Sequence, residues 1–172
     1  IGRCGSMFAF EQYGIVPDIL TVGKALGGGM PIGAFIADKE IMSKLTHEPM
    51  LGHITTFGGH PVVAAAANAC LEVLKKEDWV QDADRKGRLL EDILKANTEI
   101  KEIRRKGLMF AIDMESDERV AKVVNRCLEK GLISFWFLSH PYSFRLSPPL
   151  SITDEEIQLA GKIILESIQE TA

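Results

Sequence analysis

Three side chains stand where chemistry could be done: Lys24, Thr56 and Arg145. Lys24 lies in ILTVGKALGGGMPIGA, residues 19–34, between an apolar stretch that reads as a short buried strand and a triple glycine. A lysine on a tight turn at the end of a strand can offer its amine to a carbonyl, and it becomes a nucleophile where burial or a neighbouring positive charge lowers its pKa. Gly27, Gly28 and Gly29 supply backbone freedom and allow main chain to approach a ligand closely. Pro31 stiffens the exit. By itself the local pattern favours a plainer reading, a surface lysine beside a flexible loop. A Walker phosphate loop is ruled out, because it needs Gly-Lys-Ser/Thr after a fixed glycine spacing. Here Lys24 precedes the glycines and is followed by Ala25.

Thr56 is followed by Gly58, Gly59 and a helix start at Pro61. Backbone N–H groups and the helix dipole favour a phosphate at such a place, and a threonine capping the helix, Thr55 or Thr56, describes the same residues. Arg145 sits in FRLSPPL, an apolar strand that ends in a double proline. A guanidinium there needs an anion: a carboxylate ligand suits its forked geometry, and a structural ion pair is the alternative. His53 and His60 read as ordinary hydrogen-bonding groups, and His47 and His140 lack any partner pattern. Arg3 reads as structural, Glu11 as solvent-facing, and the Trp136-Phe137 pair as core.

The elements that must position these residues follow from periodicity. Residues 19–22 and 32–37 read as strands around the Lys24 turn. Asp38 caps a short helix reaching about Leu45, and residues 46–52 form a polar loop. Pro61 opens an alanine-rich helix to Lys76, mostly buried. A second helix spans about 78–96, with Val80, Ala83, Gly87, Leu90 and Leu94 on one face. The pattern then changes to a strand over 104–115, a helix over 117–130, strands over 132–138 and 142–146, and a last helix. Thr153 and Glu156 give that helix a capping-box signature, and Ile157, Ala160, Ile164 and Ile168 give it an apolar stripe. The expected organisation is residues 1–77 as the end of one domain, a linking helix over 78–99, and a small α+β domain over 100–172. The first part is too thin to bury an α/β core by itself.

The chain has 172 residues, 46% of them hydrophobic, with 20 basic against 24 acidic residues for a net charge of −4. No basic block suggests nucleic acid or an anionic membrane, and no apolar run approaches the ~20 residues of a membrane span. Cys4, Cys70 and Cys127 are odd in number and lack metal-ligand spacing, so the expectation is a cytoplasmic protein with no metal.

The motifs on both sides of the Lys24 turn carry a resemblance. Gly2-Arg3-Cys4-Gly5, Phe8-Ala9-Phe10-Glu11, Pro17-Asp18-Ile19-Leu20, the run from Gly23 to Gly29, and Pro31-Ile32-Gly33-Ala34 together resemble the lysine region of the class III pyridoxal-phosphate-dependent aminotransferases, the ornithine, acetylornithine and 4-aminobutyrate aminotransferase group. HITTFGGHP is similar to that family's H-G-S-T-F-G-G-N-P, departing at Ile54, Thr55 and His60 but keeping Thr56. FRLSPPLSITDEE is similar to its R-x-x-P-P-L-x-I-T-x-E-E.

The resemblance implies the α/β architecture of a fold type I transferase, here the end of the large domain and the C-terminal small domain. It implies that Lys24 forms the Schiff base with pyridoxal 5'-phosphate and moves protons, that Thr56 contacts the cofactor phosphate across a subunit interface, and that Arg145 binds the substrate carboxylate. The activity implied is transfer of an amino group from an amino acid or ω-amine to a 2-oxo acid by a homodimer with composite sites. A related aminomutase, decarboxylase or racemase, or a non-catalytic interaction fragment, stays open. In the family an aspartate that pairs with the pyridine nitrogen lies upstream of Gly-Arg-x-Gly, so the chain reads as a C-terminal fragment, inactive alone.

Overall fold

The computed structural model describes residues 1–137 and 139–172 and divides into two compact units. Ile1 and Phe10–Asp78 form the first; Gly2–Ala9 and Trp79–Ala172 form the second.

In the first unit, β1 (Ile19–Gly23) and β2 (Gly33–Ala37) pair antiparallel, from Ile19 opposite Ala37 to Gly23 opposite Gly33. They are not the buried strands expected: Ile19, Phe35 and Ile36 are exposed. A two-stranded ribbon has two open faces unless another layer covers them, and α2 (Pro61–Lys76) packs against the turn after β1 rather than along the ribbon. For the same reason α2 is not mostly buried. It contributes only Ala67 and Leu74 to the interior. Pro61 does occupy its first turn, where the missing N–H would have had no intrahelical partner. Asp38 caps α1 (Lys39–Ser43), its Oδ1 accepting from Ile41 N at 2.8 Å, and a 3-10 turn, Lys44–Thr46, continues it.

The second unit holds the large core. Where one strand over 104–115 is expected, there is a hairpin, β3 (Glu102–Lys106) and β4 (Met109–Asp113). Gly107 makes the reversal at φ +56, in the left-handed region that costs other residues about 1–2 kcal/mol. After α4 (Asp117–Glu129) come β5 (Phe135–Trp136) and β6 (Ser143–Leu146), giving an antiparallel sheet in the order β3-β4-β6-β5. The strand expected over 132–138 is thus two residues long, and its last position, Leu138, lies outside the described residues. Trp136 is not core: it is about half exposed on the edge strand, stacked on Phe135 with ring centroids 4.6 Å apart.

Phe110 and Ile112 on β4 and Phe144 and Leu146 on β6 face inward in register, Phe110 opposite Leu146 and Ile112 opposite Phe144. Each large apolar side chain so buried contributes roughly 1.5–3 kcal/mol. Three helices line this core. α3 (Trp79–Leu94) buries the expected stripe Val80, Ala83, Gly87, Leu90 and Leu94 within this unit, where a linking helix was expected. α5 (Asp154–Glu170) starts in the anticipated capping box: Glu156 N donates to Thr153 Oγ1 at 3.2 Å and Thr153 N to Glu156 Oε2 at 2.9 Å. Gly161 lets α5 approach α3, since a Cβ there would lie 2.6 Å from Ile93 Cγ2. Ser116 caps α4.

Arg105 is the principal polar tie between sheet and helix. Its Nη1 donates to Asp84 Oδ1 at 2.7 Å and its Nε to Glu91 Oε2 at 2.8 Å, both on α3. Hydrogen bonding from Arg105 holds the Asp84 carboxyl below its usual value; Lys95 and then Arg105 do the same for Glu91. Folded values below the unfolded ones mean stability that is present above the unfolded carboxylate range and lost as pH falls through the folded values. Acid titration of unfolding should therefore steepen below about pH 5, and Arg105→Met should flatten that dependence; an unchanged acid limb would show that these pairs contribute nothing. Gly107→Ala should cost about 2–3 kcal/mol in urea unfolding, because its Cβ would also meet Arg3 O and Cys4 Cα inside contact distance.

Candidate active site

β1 ends at Gly23, and Lys24–Gly27 follow as a 3-10 turn. Lys24 has φ +50, the left-handed region, which few non-glycine residues occupy. Backbone strain of this kind persists only where the surroundings over-determine it, and it concentrates at functional positions. The surroundings here are specific. Gly28, at φ +57, caps the turn and packs on α2, and a Cβ there would lie 3.1 Å from Cys70 Cβ and 3.2 Å from Ala66 O. Cys70 Sγ donates to Ala25 O at 3.2 Å. Leu26 and Gly27 are buried while Lys24 itself is exposed. The helix thus clamps the turn from one side and leaves the lysine outside.

Thr56 is also in the first unit, exposed, in the loop before α2. Neither threonine caps the helix: the N-cap is His60, and it makes no side-chain cap bond. Thr55 supports the loop instead, its carbonyl accepting from Gly58 N at 3.2 Å.

Arg145 belongs to the second unit. On β6 it alternates with buried Phe144 and Leu146 and so points away from the core, opposite Ala111 on β4 and Phe135 on β5. Its Cζ lies 5.6 Å from the centroid of the Phe135 ring, a cation–π contact that orients the guanidinium. A cleft of about 360 Å³ on the core side, lined by Leu90, Leu132, Leu146, Ile152 and Ile164, also borders Arg145. Among the described residues the side chains of Lys24, Thr56 and Arg145 make no hydrogen bond or ion pair, so the structural ion pair open to Arg145 on sequence grounds is not formed there.

Two groups were illegible in the sequence. His140 has a partner after all, its Nδ1 2.9 Å from Ser143 Oγ, which also donates to Asp113. Burial raises the Asp113 pKa, but hydrogen bonds from Ser143 and Arg104 outweigh it and hold the carboxyl below its usual value. Arg3 reaches across 145 positions to donate to Pro148 O, just beyond Arg145. The Gly2-Arg3 pattern marks it, but nothing in the spacing names its acceptor. Glu11 is exposed in a 3-10 turn, Ala9–Tyr13.

A family model described as aminotransferase class-III matches residues 1–168. The chain belongs to the class-III aminotransferase family. Acetylornithine aminotransferase of Caldanaerobacter subterraneus subsp. tengcongensis is 40% identical over 174 residues, covering 99% of this chain and 42% of the relative. The Bacillus subtilis acetylornithine aminotransferase is 39% identical over 171 residues, covering 98% and 43%. The ornithine aminotransferase of Toxoplasma gondii superposes with a TM-score of 0.89 at 34% identity, covering 99% of this chain and 40% of that one. The chain therefore spans about 42% of the length of the curated relatives it matches. The fold is that part of a class-III aminotransferase, as the resemblance implies.

The left-handed lysine makes a test independent of activity. Replacement by glycine relieves about 1–2 kcal/mol of backbone cost and forfeits about 0.4–1 kcal/mol through the looser unfolded chain. Lys24→Gly should thus be more stable than Lys24→Ala by about 0.8 kcal/mol in urea unfolding. Equal stability of the two variants would mean that the turn stores no strain.

Proposed function

We propose that the full-length protein is a pyridoxal-phosphate-dependent aminotransferase that moves an amino group from an amino acid or ω-amine to a 2-oxo acid, with Lys24 as the covalent anchor. The observation that carries this reading is the exposed Lys24 amine, without a partner among the described residues, held at a strained strand-end turn in a chain matched by the family over residues 1–168.

The donor set suits the cofactor: an uncommitted amine for its carbonyl, an exposed hydroxyl ahead of a helix N-terminus for its phosphate, and an uncommitted guanidinium for a substrate carboxylate. Pyridoxal phosphate supplies, when bound, a carbonyl for amine exchange and an electron-withdrawing ring that stabilises negative charge on the substrate carbon. Lys24 Nζ would hold it. With its amine free, Nζ would take the proton from the substrate's amino-bearing carbon and return it, a general base and then a general acid on one atom. Arg145 receives the substrate carboxylate in two parallel N–H···O bonds, with Phe135 behind the guanidinium plane. Thr56 would donate to the cofactor phosphate of a second subunit, so that the working enzyme would be a homodimer with composite sites.

Among the described residues no helix is long and apolar enough to cross a membrane, and none of the three cysteines is in a disulfide. Cysteines without disulfides support a cytoplasmic location.

Borohydride trapping of the cofactor on the full-length enzyme, followed by peptide mapping, should label Lys24, and Lys24→Ala should lose both label and turnover while staying folded. A label on Lys39 or Lys44 would sink the assignment. Arg145→Lys keeps the charge and loses the fork, so the substrate KM should rise about tenfold with little change in Tm. Easy unfolding with normal substrate affinity would instead make Arg145 a structural residue.

A further inference from the structure

Arg3 lies in a strap, residues 2–9, that belongs to the second unit although the chain that follows forms the first. The strap is fastened by main chain and by shape. Leu108 N donates to Arg3 O at 2.8 Å, and Gly2 N donates to Met7 O at 3.0 Å. Gly2, at φ +76, has no room for a Cβ, which would lie 2.7 Å from Leu150 Cδ1. The half-buried Arg3 guanidinium donates from Nη1 to Pro148 O. From the other side Lys86 Nζ donates to Leu150 O at 3.0 Å. Two cations thus hold the carbonyls of the double-proline segment that leaves β6, immediately after Arg145.

The charges themselves are unusual. Among the described residues neither Arg3 nor Arg145 pairs with a carboxylate, whereas Arg85, Arg88, Arg104, Arg105, Arg119 and Arg126 all do. Burial lowers the Arg3 pKa from its ordinary value; Cys4 opposes this, and the positive charge of Arg145 lowers it further. A guanidinium that is half desolvated, tied to a neutral carbonyl and close enough to feel a second guanidinium is unfavourable until an anion arrives. Elsewhere in this unit a nearby Asp or Glu supplies that anion; at Arg3 and Arg145 none of the described residues does.

We propose that Arg3 is a positioning residue for substrate binding: it fixes the Ser147–Pro149 segment through the Pro148 carbonyl, and its uncompensated charge adds to that of Arg145 in drawing a carboxylate. This rests on the reading of Arg145 as the carboxylate clamp. The site accordingly selects donors and acceptors that carry a carboxylate, and Arg3 acts on their affinity without touching the reacting carbon.

The test uses single-turnover half-reactions of the full-length, cofactor-loaded enzyme with an amino acid donor, beside capture of the cofactor carbonyl by methoxyamine, which has no carboxylate. Arg3→Gln should raise the half-saturating amino acid concentration about tenfold, leave the saturating rate within about twofold, and leave methoxyamine capture unchanged. Arg3→Lys, which keeps the charge and one donor for Pro148 O, should bring the rise down to about threefold. The inference is overturned if Arg3→Gln matches the parent enzyme, if it slows methoxyamine capture as much as the amino acid, or if Arg3→Lys is as impaired as Arg3→Gln. Should Arg3→Gln fail to fold, Arg3→Lys decides alone: the threefold rise with normal methoxyamine capture supports the inference, and an unchanged half-saturation overturns it. Arg145→Gln separates the two layers. If it leaves the half-saturation unchanged, the clamp reading itself has failed; if it raises it while Arg3→Gln does not, only the role of Arg3 has failed.

Discussion

The pleat of the β4–β6 pair governs the second unit. Side chains alternate strictly across a strand, and Phe110, Ile112, Phe144 and Leu146 must all face the helices for the core to exist. Once they do, Arg145, between two of them, has no choice but to face out. The half-register that buries Phe144 against Ile112 also sets Arg145 beside Phe135, so the packing that stabilises the sheet and the contact that orients the guanidinium have one origin. A slip of one residue would turn the arginine into the core and the phenylalanine out of it. The outward position of Arg145 is therefore protected by the least negotiable part of the fold.

In the first unit the corresponding constraint is shape at a turn rather than area in a core. The α2 surface is small where it meets Gly28, with Ala66 and Cys70 at the contact, and the glycine comes as near as a residue without a Cβ can. That closeness fixes the turn and leaves Lys24 in a backbone conformation that lysine does not choose freely. Few large apolar side chains are buried in this unit, so the geometry of the turn rests on these local contacts and on the hairpin, not on a hydrophobic interior. The two units thus hold Arg145 and Lys24 by different means, one by alternation and the other by close approach of backbone to helix.

Charge is distributed with the same division. Most arginines of the second unit are matched to carboxylates that join helix to sheet or helix to helix, as Arg105 joins β3 to Asp84 and Glu91, and Arg119 joins α4 to Glu99. Arg3 and Arg145 stand outside that pattern. An exposed pair contributes little to stability, so what matters is not the number of ion pairs but which cations have been left without one.

The sequence by itself determined what depends on neighbours along the chain. The stripe Val80, Ala83, Gly87, Leu90 and Leu94, the Thr153–Glu156 capping box, Asp38 at a helix start and Pro61 in a first turn are all local rules, and each appears in the structure where the residues require it. The ordered motifs around Lys24, Thr56 and Arg145 were legible for the same reason and led to the family. Strand limits and burial were not legible, because they depend on what packs from elsewhere: Gly107 divides one expected strand into a hairpin, and the β1–β2 ribbon and Trp136 lie exposed although their residues are apolar. Only the tertiary structure could decide that Arg3 donates to Pro148 and that Arg145 has no carboxylate partner among the described residues, since both depend on contacts between segments far apart in the chain and no local pattern encodes them.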